Sequence, residues 1–156
     1  MKHNSIKIQV EGLDNLIKSK GSDNDNTLAL WEPLKMFAKT VLTHFTGEPL
    51  GTWSNEKTEE RTIGWPRGWK KTCSRETSGG RIEISLEYTF FNPMDGAGWD
   101  IKTQIEINDL KLLLSSGYYC GLSAPFSLSG SGDLKPKLNI ICESLKAGFG
   151  GPATVL

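Results

Sequence analysis

Two stretches of the chain alternate apolar and polar residues without interruption, and that pattern leaves little freedom in what they can become. From Arg81 to Phe91, residues Ile82, Ile84, Leu86, Tyr88 and Phe90 fall on one side and Glu83, Ser85, Glu87 and Thr89 on the other. From Trp99 to Ile107, Trp99, Ile101, Thr103, Ile105 and Ile107 alternate with Asp100, Lys102, Gln104 and Glu106. A period of two belongs to a strand with one buried and one wet face. The turn formers between them, Asn92-Pro-Met-Asp-Gly-Ala-Gly98, join the pair into an antiparallel hairpin.

The apolar face of such a hairpin needs a cover. Leu30, Trp31, Leu34, Phe37, Ala38, Val41, Leu42 and Phe45 recur at three and four, which predicts one long amphipathic helix over about residues 28–45. Pro33 is tolerated only in a first turn, so the helix begins close to Trp31 or kinks there, and Gly47 and Pro49 end it. Upstream, Ile6, Ile8 and Val10 alternate as a short strand, and Leu13, Leu16 and Ile17 take the spacing of a short helix. Val10, Gly12, Leu13, Asp14 and Leu16 resemble the V-x-G-L-D-x-L opening of phage tail-completion proteins, a likeness that covers under a tenth of the chain.

The polar run Gly21 to Thr27 reads as a loop with Asn26 or Thr27 capping the next helix. Asp23, Asn24 and Asp25 do not make it a calcium loop, because Leu28 and Leu34 stand where that loop needs a glycine and a bidentate glutamate. Thr52 to Ile63 and Trp69 to Glu76 are expected as strands around the turn Gly64-Trp-Pro-Arg-Gly68. Leu110 to Leu114 suits a strand or a short helix equally. Ser127 to Pro136 reads as a flexible segment, and Lys137 to Leu145 as a late strand through Leu138, Ile140 and Cys142, with no C-terminal helix. The expected fold is a single α+β domain over residues 1–156, with an N-terminal strand and short helix and one long helix packed on a mainly antiparallel sheet.

Composition narrows the function classes. The chain has 156 residues and balances 18 Lys plus Arg against 18 Asp plus Glu, so it is neither a polycation for nucleic acid nor an acidic mimic of one. Cys73, Cys120 and Cys142 lie far apart and form no C-x-x-C, so free thiols are expected, with neither a disulfide framework nor a zinc site. The first residues lack the apolar core of a signal peptide, and a cytoplasmic protein is the expectation.

The neutral total hides segregation. Residues 61–75 carry Arg61, Arg67, Lys70, Lys71 and Arg75 with no acidic residue, for +5, whereas residues 1–60 sum to −2 (7 basic, 9 acidic) and residues 76–156 to −3 (6 basic, 9 acidic). Trp65 and Trp69 flank the Pro66-Arg67-Gly68 turn, and turn tips are normally exposed. Exposed Trp beside Arg and Lys suits a protein partner, single-stranded nucleic acid, a sugar ring or an anionic membrane surface. The competing reading folds both rings back into the core, as large aromatics usually are. A second copy of the chain is a further candidate partner.

Catalytic patterns are thin. His3 and His44 are the two histidines, no G-x-S-x-G occurs, and a helix-end role fits His44 better than a general base. Glu83 with Glu87, and Asp100 with Glu106, share the wet face of the hairpin, where solvated strand charges are the default and a glycosidase-like pair the sharper alternative. Gly148-Phe-Gly-Gly-Pro-Ala153 has the letters of a dinucleotide fingerprint without a helix to follow, so no cofactor is expected. The apolar tail, Phe149, Val155 and Leu156, is expected to dock on the body or on a neighbouring subunit. The leading expectation is a small non-enzymatic protein-interaction module of bacterial or phage type. The alternatives are a ligand-binding module using the same basic, aromatic turn, and a small hydrolase built on His44 or a carboxylate pair.

Overall fold

The computed structural model describes residues 4–11, 13, 23–48, 52–107, 110–119, 122–123, 125–131 and 133–156. The expected short helix beyond Leu13 lies outside the described residues, as does most of the segment carrying the phage-like opening.

The alternating segments form the centre of the molecule. Strands β2 (Ser54–Arg61), β3 (Arg67–Thr77), β4 (Gly80–Asn92), β5 (Gly96–Ile107) and β6 (Leu110–Tyr119) follow one another as an antiparallel meander. The expected hairpin is β4 with β5, in a register that sets Ile82 beside Ile105, Ile84 beside Thr103 and Leu86 beside Ile101. Leu110 to Leu114 resolves as strand, because Leu112 and Leu114 continue the apolar face of β5 across the ladder.

The rest of the sheet crosses back. Beyond β6 lie β8 (Phe126–Gly130), then β1 (Asn4–Val10), then β9 (Ala153–Val155), all antiparallel; the two-residue β7 (Leu122–Ser123) pairs with the end of β6. Strand β8 corrects the expectation of a flexible segment there. Its serines and glycine read as loop, but Phe126 and Leu128 are fully buried and the strand is held on both sides by β6 and β1. The apolar tail docks on its own body: β9 pairs with β1, and the Leu156 N–H donates to the Lys7 carbonyl at 2.9 Å.

Helices cover one face. The helix expected over about residues 28–45 is α2 (Trp31–Thr46), which begins at Trp31 as Pro33 requires, and a short helix, α1 (Asp23–Leu28), precedes it with Ala29 and Leu30 between. The segment expected as a loop from residue 21 therefore turns helical at Asp23, where acidic and amide side chains suit a first turn. Pro33 sits in the first turn of α2, and the helix stops at Gly47. Trp31, Leu34, Phe37, Ala38, Val41 and Leu42 are its buried residues, and the helix packs on β4 and β5.

The second correction is α3 (Lys135–Phe149), a helix where a late strand was expected. Leu138, Ile140 and Cys142 alternate, but the longer series Leu134, Leu138, Ile141, Leu145 and Phe149 runs at four, three, four and four and is the one whose members are largely buried. Over a run this short only the longer period decides. Helix α3 packs against α2 at close range: a Cβ placed on Gly148 would lie 2.7 Å from the Pro33 carbonyl oxygen and 2.8 Å from Phe37 Cβ. One core, with Phe37, Phe126, Ile8, Ile82, Ile101 and Leu114 fully buried, joins both helices to the sheet. No helix among the described residues is long and apolar enough to cross a membrane.

Candidate functional site

The alternation of β3 decides where the basic residues go. Arg67, Trp69, Lys71, Cys73 and Arg75 share the helix-side face, opposite Phe90, Tyr88, Leu86, Ile84 and Ile82 of β4. Gly68 and Lys70 face the other way, and Arg61 lies opposite Gly68. The seven residues expected to make one patch are therefore divided. Arg75, opposite Ile82 on this face, is only 7% exposed. Lys70 stands on the wet face between Glu59 and Glu87, and Lys71 donates to Thr58 Oγ1 at 2.9 Å. Trp69 is half-buried: its ring leans on Tyr88 with centroids 5.9 Å apart, and its Nε1 donates to Asn24 Oδ1 at 2.7 Å, which ties α1 to the sheet.

What remains together is the turn itself. Trp65, followed by a cis peptide bond to Pro66, is 48% exposed and meets Phe90 edge-on with centroids 5.5 Å apart. The Arg67 guanidinium lies 4.3 Å from the centre of the Trp65 ring, and its Nε donates to the Gly64 carbonyl at 3.0 Å. A cation over an indole face is held there by the ring's quadrupole, typically for about 0.5–1 kcal/mol at an exposed position. Gly68 allows this corner, since a Cβ there would sit 1.9 Å from the Tyr88 carbonyl oxygen.

Sequence reasoning missed the neighbours of this turn. Strand β4 ends where β3 begins, so the β4–β5 turn lies at the same end of the sheet. It holds Met94, 95% exposed, on a frame made by Asn92, whose Oδ1 accepts from the Met94 and Asp95 N–H groups at 2.8 and 2.7 Å. Ile63 in the β2–β3 turn is 88% exposed. At the end of β6, Tyr119 is 50% exposed and stands edge-on to Phe91 with centroids 5.2 Å apart. The available signal was an isolated Met and Ile among turn formers, a position with no local reason to be apolar.

Beside the turn is a hollow of about 220 Å³ whose walls include Arg61, Arg67, Lys70, Glu59, Glu60 and Glu87, three cations and three carboxylates, with Pro66 and Tyr88. A second hollow of about 370 Å³ continues along the same strands past Lys57, Thr72, Arg81 and Glu83. Both are open and of mixed charge. His44 is exposed in the last turn of α2 and lines neither. Glu87 and Asp100 are direct cross-strand neighbours, whereas Glu83 is paired with Arg81 at 3.1 Å and Glu106 sits opposite Arg81. Among the described residues no three His, Cys, Asp or Glu side chains converge as metal ligands. Burial pushes the Cys73 thiol up to about 12, which keeps it protonated and poorly nucleophilic. No protein family, curated protein or solved structure matches this chain.

Proposed function

We propose that this chain is a non-enzymatic module that binds a partner protein through one end of its sheet, centred on Trp65. The observation that carries the reading is that two separate turns at the same end of the sheet each hold their most apolar residue in solvent, Ile63 at 88% and Met94 at 95% exposure, with the half-exposed Trp65 in the first of these turns. Clustered exposed apolar side chains mark interaction surfaces, and aromatic residues with Arg are the usual anchors. Both turns are pre-shaped, one by the Arg67 bond to Gly64 and the stack on Trp65, the other by Asn92, so little ordering cost attends binding.

Two placements support a protein over a nucleic-acid strand. Trp69 is spent on Tyr88 and Asn24, so it offers no second stacking platform, and the cations are divided between two faces and the interior. The test is selection of a random-peptide display library on the immobilised protein, followed by Ile63→Ser, Trp65→Ala and Met94→Ser combined. The selected peptides should lose binding to the triple variant, while it still unfolds cooperatively with a melting temperature only a few degrees lower, as loss of the Trp65 contacts to Phe90 and Arg67 requires. Unchanged binding by the triple variant would remove this end of the sheet from consideration.

A further inference from the structure

We propose that the segment seated at this end carries a carboxylate flanked by large apolar side chains, and that Arg67 is the residue that reads it. The inference rests on the protein-binding reading and adds the chemistry of the partner.

Arg67 is oriented before any partner arrives. Its guanidinium carbon lies 4.3 Å from the Trp65 ring centre, its Nε–H donates to the Gly64 carbonyl, and Trp65 is braced by Phe90. That leaves the two terminal nitrogens as a fork of fixed direction. Among the described residues no carboxylate lies within ion-pair distance of them, although Lys57, Arg81 and Lys35 are all so paired. A held guanidinium fork matches a carboxylate in bidentate fashion, which a lysine cannot reproduce. Ile63 in the same turn and Met94 in the β4–β5 turn at this end of the sheet are highly exposed apolar side chains.

Charge selects among anions. The adjoining hollow balances Arg61, Arg67 and Lys70 against Glu59, Glu60 and Glu87. A surface that sums to zero accepts one further negative charge held by the fork. It gives no net attraction to a phosphate dianion, a nucleic-acid backbone or an anionic bilayer, each of which brings several charges to the same carboxylates.

The experiment uses the same display selection, read for sequence content. Selected peptides should share Glu or Asp next to Leu, Ile, Phe, Met or Trp. A synthetic peptide of that consensus, labelled for fluorescence polarisation, should lose about tenfold to a hundredfold in affinity when its acidic residue becomes Gln or Asn, the span expected for a hydrogen bond to a charged group. Arg67→Lys should lose a similar factor with the melting temperature unchanged. Peptides that bind through Ile63 and Met94 but carry no acidic consensus, or that ignore Arg67→Lys, would overturn the inference and leave the protein-binding reading standing. Binding to phosphatidylserine vesicles or a single-stranded oligonucleotide, equally tight and equally sensitive to Arg67→Lys, would overturn it in favour of a polyanion. Peptide binding that survives the triple variant of the apolar residues would overturn both.

Discussion

Single side chains tie the sheet's outermost hairpin to the helices. Trp31 Nε1 donates to Glu56 Oε1 at 3.0 Å, and Lys35 Nζ reaches the same oxygen at 3.4 Å. The indole N–H is the main influence that holds the Glu56 carboxyl below its ordinary range; burial opposes it and Lys35 assists. Burial on its own would lower Lys35, but Glu32 and Glu56 together carry it above its usual value. Because the folded state depresses the Glu56 value, the stabilisation it confers is complete above the ordinary carboxylate pKa of about 4.3 and fades as pH falls through the lower folded value. Urea unfolding of Glu56→Gln should show a small loss at pH 7 that shrinks as pH falls below the ordinary carboxylate value and the native carboxyl begins to take up its proton; a loss that did not change with pH would contradict this coupling. Cys73 gives a second prediction at this scale. Held at about 12 by burial, it should resist thiol reagents at pH 8 in the native protein and react once urea unfolds the chain; native labelling of Cys73 at the rate of a free thiol would refute its enclosure. Neither partner of the Trp31–Glu56 bond was legible as such in the sequence, since the residues are 25 apart and Glu56 sits in a strand of weak alternation.

At the scale of elements, legibility followed the strength of the period. β4 and β5 were readable because nine residues each, Ile82–Phe90 and Trp99–Ile107, kept one face mainly apolar, and α2 because its apolar residues ran for about four turns of a helix. α3 and β8 were misread for opposite reasons. In α3 a three-residue alternation masqueraded as a strand inside a longer helical series, and in β8 serine and glycine concealed two fully buried apolar residues that only flanking strands explain. The helix pair offers a test of its own packing. Gly148→Ala improves helix propensity by about 1 kcal/mol, yet its methyl must enter the 2.7 Å space against the Pro33 carbonyl. Overpacking of that kind usually costs about 1–3 kcal/mol, so denaturant unfolding should show a net loss; a gain would mean that α2 and α3 separate freely. For the candidate site, period two was the legible signal that went unused. Once β3 is a strand, Trp69 and Lys70 must face opposite ways.

Across the whole molecule, the two ends of the sheet differ. One edge is β9, three residues long; the other is β2, eight residues long and exposed throughout, with Glu56, Lys57, Glu59, Glu60 and Arg61 along it. Charges on an exposed edge discourage pairing with another chain. Replacing Lys57, Glu59 and Glu60 together by Val should therefore raise the mass seen by light scattering after size exclusion, above that of the unaltered chain at equal concentration. No change would show that something other than charge protects the edge. The crossing-back of the sheet carries a different consequence. Strand β1 has β8 and β9 as its ladder neighbours, so its partners lie more than a hundred residues along the chain. On the ribosome, β1 emerges more than a hundred residues before β8 and β9, so both of its ladder positions stay empty until those strands have been made. The meander β2 to β6 can assemble in the meantime, and the interval in which Ile6, Ile8 and Val10 remain uncovered is set by the rate of translation rather than by the rate of folding.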